Sequence, residues 1–265
     1  MTITHPMGAA SVGRDDPIVR KIRLYDLWDA LRKGTADFWA MPTHLVFLGL
    51  IYPVVGLVIA RLVFGYDVLP LLFPLTAGFA LIGPFAALGL YELSRRREKG
   101  LDTSWKHAFA VFRSPSFPAI AALGLLLLLI FFVWIAAANA IYVAAFGYVP
   151  AASVPDFLDR VFNTPAGWSL IVVGNGIGFL FALLVLTISV VSFPLLLDRP
   201  VSPIVAILTS VRAVAANPLQ MAAWGLIVAI LLVIGSLPVF IGLAIVMPIL
   251  GHATWHLYRK VIEAS

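Results

Sequence analysis

Long apolar runs alternate with short polar segments along this chain, and the lengths of the runs set its architecture. Runs over about 44–64, 68–93, 118–146 and 168–197 each reach the roughly 20 residues that a helix needs to cross about 30 Å of hydrocarbon. The turn Phe64-Gly65-Tyr66-Asp67 parts the first two, and Ser94-Arg95-Arg96-Arg97-Glu98-Lys99-Gly100 stops the second abruptly. The last stretch, Leu219 to His256, would reach about 57 Å as one helix at about 1.5 Å per residue. Breaking it at Gly235-Ser236-Leu237-Pro238 gives two spans of ordinary length, 219–235 and 237–257. The pattern predicts an all-α, polytopic membrane helical bundle of six transmembrane helices. It forms a single membrane domain over 20–260, with a disordered cytoplasmic tail at 1–19 and a short tail at 261–265.

Before each odd-numbered span lies a shorter, polar-flanked helical segment that closes on a proline: 28–42, 105–118 and 204–218. Trp105, Ala108, Phe109 and Phe112 recur at i, i+3, i+4 and i+7, as do Ile204, Ile207, Leu208 and Val211, which is one face of an α-helix. The first segment fits with a shift, through Leu24, Leu27, Trp28 and Leu31. These are expected to be juxtamembrane amphipathic helices lying along the inner interface. The returning spans share a proline, Pro84, Pro194 and Pro248, and Pro84 to Arg95 repeats the spacing of Pro248 to Arg259. Three tandem units of interfacial helix plus hairpin would explain this, although positive-inside hairpins resemble one another without a repeat.

Composition narrows the class. Hydrophobic residues make up 62% of the 265 residues and charged residues 12%, against about 25% charged in a soluble chain. When the six spans alternate across a bilayer, sixteen of the 18 Lys and Arg residues fall on one side, and the positive-inside rule makes that side cytoplasmic. Both termini are then cytoplasmic, in the inner membrane, and treating 219–256 as one span would weaken the bias. The first 42 residues hold no apolar h-region, so the first span is expected to act as an uncleaved anchor. The basic residues flank spans instead of forming a polar domain, so an anionic lipid bilayer is the expected partner and nucleic acid is not. Arg95, Arg96, Arg97, Lys99, Arg212 and Arg259 mark this inner basic face. Cys is absent, which excludes disulfides and thiolate chemistry.

The blocks Asp198-Arg199-Pro200-Val201, Ala206-Ile207-Leu208-Thr209-Ser210-Val211-Arg212-Ala213-Val214 with Asn217-Pro218, and Gly251-His252-Ala253-Thr254-Trp255-His256-Leu257-Tyr258-Arg259 carry a resemblance. The chain resembles the bacterial family of predicted integral membrane proteins called domain of unknown function 2189, over most of residues 20–260. Gly89-Leu90-Tyr91-Glu92-Leu93 and the basic run after it match as well. The family implies no established activity, although some members carry a cytochrome c oxidase subunit I label. That activity implies a cage of buried histidines around haem and copper. This chain has five histidines, with His5 and His107 outside the spans and His44 at an edge, so it cannot assemble the cage and no haem ligand is carried over.

Candidate chemistry is sparse, and no cofactor is expected. His252 and His256 are four residues apart, share a helical face and could grip one metal or cap a haem. Two ligands are not a site, and no Asp, Glu or Cys lies within a turn of them. Trp255 and Tyr258 beside them favour an interfacial belt, hence anchoring. Among polar residues within spans, Asn139, Asn175, Thr187 and Ser189 could contact a substrate or serve packing, with Gly174, Gly176 and Gly178 expected to let helices approach around Asn175. No charge lies near a span's centre, which argues against a proton-driven pump. Phosphate-loop, nucleophile-elbow and HExxH patterns are absent. The leading expectation is a non-catalytic scaffold or accessory factor that binds membrane proteins or lipids. A transporter or channel for a small or lipidic substrate is the alternative, and a haem- or metal-binding protein through His252 and His256 comes third.

Overall fold

A computed structural model describes residues 17–41, 74–75, 83–148, 153–237 and 242–263, and the regular elements among them are helices. In chain order they are α1 (Leu24–Ala40), the single turn α2 (Gly83–Ala86), α3 (Leu88–Glu98), a 3₁₀ helix (Trp105–Arg113), α4 (Phe117–Phe146), α5 (Val154–Asn163), α6 (Pro165–Ser189), α7 (Ser192–Asp198), α8 (Pro203–Ala216), α9 (Pro218–Ser236) and α10 (Leu243–Val261). Their starts follow local chemistry. The Arg23 N–H donates to the Asp26 carboxylate at 2.8 Å at the head of α1. Thr164 and Ser202 accept from Gly167 and Val205 at the heads of α6 and α8, each followed by a proline where a missing N–H costs nothing.

Among the described residues, three helical stretches are long and apolar enough to cross a membrane: Phe117–Phe146, Pro165–Asp198 and Pro218–Ser236. These correspond to the third, fourth and fifth expected spans. The expected span 44–64 and half of 68–93 lie outside the described residues. Where 237–257 was expected, α10 runs over Leu243–Val261. It is buried nearly all round, as suits a core helix. The segment between the third and fourth spans is in part helical, because Ser153 accepts from the Asp156 N–H and starts α5.

The fourth span is not one straight helix. Pro194 has no N–H and its ring crowds the carbonyl of Val190, and the helix breaks between α6 and α7. In an unbroken helix the Val191 N–H would donate to the Thr187 carbonyl. Here the Ser210 hydroxyl of α8 stands between them, accepting from Val191 N at 3.3 Å and donating to Thr187 O at 2.8 Å. A side chain inserted into the ladder in this way is an established cause of kinks. Pro248, in contrast, stays inside α10.

The second amphipathic segment is a 3₁₀ helix and not the expected α-helix. Its three-residue period changes the face. Ala108 and Val111 are buried, whereas Trp105, Phe109 and Phe112 are exposed. Phe109 and Phe112, eclipsed at i and i+3, stack at 6.3 Å. All three segments nonetheless share a plan. Large side chains face outward on each, Leu24, Tyr25 and Trp28 on α1 and Ile204, Leu208 and Val211 on α8. Small ones face the protein, Ala30 and Gly34, Ala108, and Ala206 and Ala213.

Each segment packs on a helix that precedes it in the chain, except that α1 packs on the last. The 3₁₀ helix lies on α3, α8 on α7, and α1 on α10 more extensively than any other pair. A Cβ at Gly34 would lie 2.5 Å from the Ala253 backbone nitrogen, and one at Gly89 3.1 Å from the Ala108 Cβ. The ends of the described chain are stitched together as well. Arg20 N donates to Val261 O at 2.7 Å and Glu263 N to Ile18 O at 3.0 Å, and the Asn217 side chain accepts from Ile22 N at 2.8 Å and donates to Arg20 O at 3.0 Å. Residues 17–19 and 261–263, expected to be tail, therefore close the basic end.

Candidate functional site

The polar centre of the molecule lies where α1, α3 and α10 meet. Leu27, Ala30, Gly34, Asp37 and Phe38 form the buried stripe of α1, and Gly34 lets the helix approach α10 closely enough to bring Asp37 against it. The Asp37 carboxylate is 3% exposed. It accepts from the Ser94 hydroxyl at 2.5 Å, from His256 Nε2 at 2.8 Å and from the Arg97 guanidinium. Ser94 Oγ also lies 2.8 Å from Nδ1 of His252, which is itself 1% exposed.

These distances fix the proton positions. A carboxylate only accepts, so Ser94 donates to Asp37, and the Ser94 oxygen then accepts from a protonated His252 Nδ1. His256 Nε2 must likewise carry a hydrogen. Burial works to raise the Asp37 carboxyl, but the hydrogen bonds from His256 and Ser94 outweigh it and hold the group below its ordinary value.

A second shell of pairs surrounds this centre. Glu98 accepts from the Trp255 indole at 3.1 Å and pairs with Arg259 at 3.0 Å. Asp198 accepts from the Tyr258 hydroxyl at 2.8 Å and from Arg259 at 3.4 Å. Asp29 holds Arg32, Lys33 and Lys260. The hydrogen bond from Arg32, then that from Lys260, drives its carboxyl far below the ordinary range. Glu92, buried, takes Arg95 in two hydrogen bonds and Arg96 at 3.8 Å.

Several expected roles change. Trp255 and Tyr258, read as interfacial, are each 1% exposed and belong to the core, because Glu98 and Asp198 reach in to satisfy their polar atoms. His252 and His256 do share a helix face, and the fold adds Asp37 and Ser94 from distant segments, neither of which stands out beside them in sequence. The ring nitrogens turned toward Asp37 and Ser94 act as donors. Among the described residues no group of three His, Cys, Asp or Glu side chains is placed to hold a metal ion.

The polar residues within the spans do not converge. Asn139 and Asn175 are exposed. Asn175 Nδ2 donates to Ile171 O, Thr187 Oγ1 to Leu183 O and Ser189 Oγ to Val185 O, each one turn back on its own helix. A Cβ at Gly174 or Gly176 would meet nothing within 4 Å among the described residues, so no described helix packs closely against these two, whereas Gly178 lies against Trp134. Of the basic residues, Arg95, Arg96, Arg97 and Arg259 are paired as above, and Lys99 and Arg212 are exposed.

Residues 72–198, just under half of the chain, match the family model described as predicted integral membrane protein, domain of unknown function 2189. The resemblance read from the sequence is met over that segment, which contains Gly89 to Leu93 and the basic run, while the block at 251–259 lies beyond it. Comparisons with curated proteins and with solved structures return no match.

Proposed function

We propose that this is a non-catalytic scaffold or accessory factor of the inner membrane, with both termini cytoplasmic, which binds other membrane proteins or lipids through its basic end. The observation that carries this reading is the uneven use of polar groups. At the basic end, Asp37 and Asp198 draw partners from helices far apart in sequence, while the buried Glu92 holds Arg95 and Arg96 of its own helix, which builds a rigid platform. Within the described spans, Asn175, Thr187 and Ser189 bond back to their own helix, which leaves apolar flanks for lipid or a neighbouring membrane protein.

The platform is built of three tandem units on this reading. Gly89 and Ala253 each stand five residues after a proline, Pro84 and Pro248, and each touches a small residue of an interfacial segment, Ala108 and Gly34. The contacts of the 3₁₀ helix with α3, α8 with α7 and α1 with α10 then form a closed ring.

The test is reconstitution into liposomes combined with mild-detergent purification. Permeability to ions, sugars and amino acids should equal that of empty vesicles, while the same membrane proteins or lipids co-purify in stoichiometric amounts and recover this chain reciprocally. Solute permeability above that of empty vesicles overturns the reading. The cytoplasmic placement is checked on this cysteine-free chain by single cysteines, with one at Lys99 labelled only after permeabilisation and one at Asp159 labelled in intact cells.

A further inference from the structure

A cleft of about 280 Å³ opens between α3, the 3₁₀ helix and the end of α7. Its charged lining is Arg95, Arg96, Arg113 and Glu92, and its apolar wall includes Val111 and Leu197. Glu92 is consumed internally. Its two oxygens hold Arg95 at 2.7 and 3.0 Å and draw in Arg96, whose Nε is also fixed on Asp102 O at 2.6 Å. The acid therefore acts as a brace that sets the two guanidiniums in place, and the lining keeps a net positive charge. Arg113, on the other wall, is exposed and makes no ion pair among the described residues.

The surroundings indicate where an anion would come from. Trp105, Phe109 and Phe112 stand on the outer face of the same 3₁₀ helix, between 41% and 59% exposed. They form a continuous ladder with Phe117, at the start of a membrane-spanning helix, through contacts of 6.1, 6.3 and 5.3 Å. A row of exposed rings at the head of a span sits at headgroup level. The cleft on the buried side of that helix thus lies level with the lipid phosphates, with an apolar wall where a glycerol backbone begins.

We infer that this cleft is a binding site for the phosphate headgroup of an anionic phospholipid, held by Arg113 together with the braced Arg95 and Arg96. Arg guanidiniums suit this ligand because their paired N–H groups match phosphate oxygens. The inference deepens the lipid-binding half of the proposed function and rests on its placement of the basic end at the anionic leaflet.

The test is native mass spectrometry of the full chain released from detergent, titrated with phosphatidylglycerol, phosphatidylcholine or inorganic phosphate. The wild type should retain phosphatidylglycerol over phosphatidylcholine. Arg113→Gln should weaken that retention about tenfold, the loss of one charge-assisted contact, while Arg32→Gln on α1 leaves it unchanged. Because Arg113 is exposed, its variant should fold, which its elution profile and melting temperature check. Equal retention of the two lipids, no effect of Arg113→Gln, or inorganic phosphate that binds as tightly as the lipid would each overturn the assignment. A failure here leaves vesicle permeability and co-purifying proteins as they were, so it is distinguishable from failure of the scaffold reading.

Discussion

Replacing Asp37 by Ala removes the acceptor on which Ser94, His256 and Arg97 converge, and the structure sets the scale of the loss. Two of the three donors are well buried, and a hydrogen bond to a charged group is worth about 1.5–3 kcal/mol. Ser94 keeps His252 as a neighbour at 2.8 Å, so its share falls at the low end. The Arg97 side chain is 39% exposed and can turn to water, which limits its share to about 1 kcal/mol. The sum is about 4–5 kcal/mol, or roughly 10–15 °C in melting temperature for a chain of this size. Asp37→Asn keeps one accepting oxygen and should lose about half as much. The assay is loss of the monodisperse peak on heating in detergent, with the exposed Asp159→Ala as control. If Asp37→Ala melts within about 2 °C of that control, the carboxylate does not organise this end of the protein.

Three further outcomes follow from the same contacts. Asp29 and Asp37 both sit below their ordinary value, so the stability they add is present above about pH 4, the unfolded carboxylate range, and is lost as pH falls through their lower folded values; thermal stability measured from pH 7 to pH 3 should drop in acid, and less so in Asp37→Asn. Gly34→Leu drives a side chain into the Ala253 backbone and should part α1 from α10, read as faster maleimide labelling of a cysteine at the buried Ala30. Ser210→Ala leaves Val191 N and Thr187 O without their bridge and should cost about 1–3 kcal/mol, seen as a lower melting temperature that Ser210→Thr largely restores.

The long elements were legible because membrane crossing imposes length and hydropathy on a continuous stretch of chain. The spans at 118–146 and 219–235 differ from α4 and α9 by no more than one residue at an end. The break in the fourth span was half legible. Pro194 marked where the helix could fail, but the insertion of Ser210 is a contact between segments and leaves no trace in either. The 3₁₀ helix shows a different limit, since Trp105, Ala108, Phe109 and Phe112 fit an α-helical comb as well as a three-residue period, and only packing of Ala108 on Gly89 selects between them.

The Asp37 centre was illegible for a stronger reason. Its bonds join residues 57, 158 and 219 positions apart, so no window of sequence contains the site. One mark was present: on the stripe Leu27, Ala30, Gly34 and Phe38 an acid stands among apolar and small residues, and a buried acid needs donors from elsewhere. Trp255 and Tyr258 are buried on the same physical terms. An aromatic pair beside Arg259 reads as an interface when helices are taken singly, because the interface is the cheapest place for a ring with a polar tip. Once Glu98 and Asp198 supply acceptors within the protein, the core serves equally well. Glu98 and Asp198 are thus what allows Trp255 and Tyr258 to be buried, Asp37 with Ser94 does the same for His256 and His252, and the basic end is a second core.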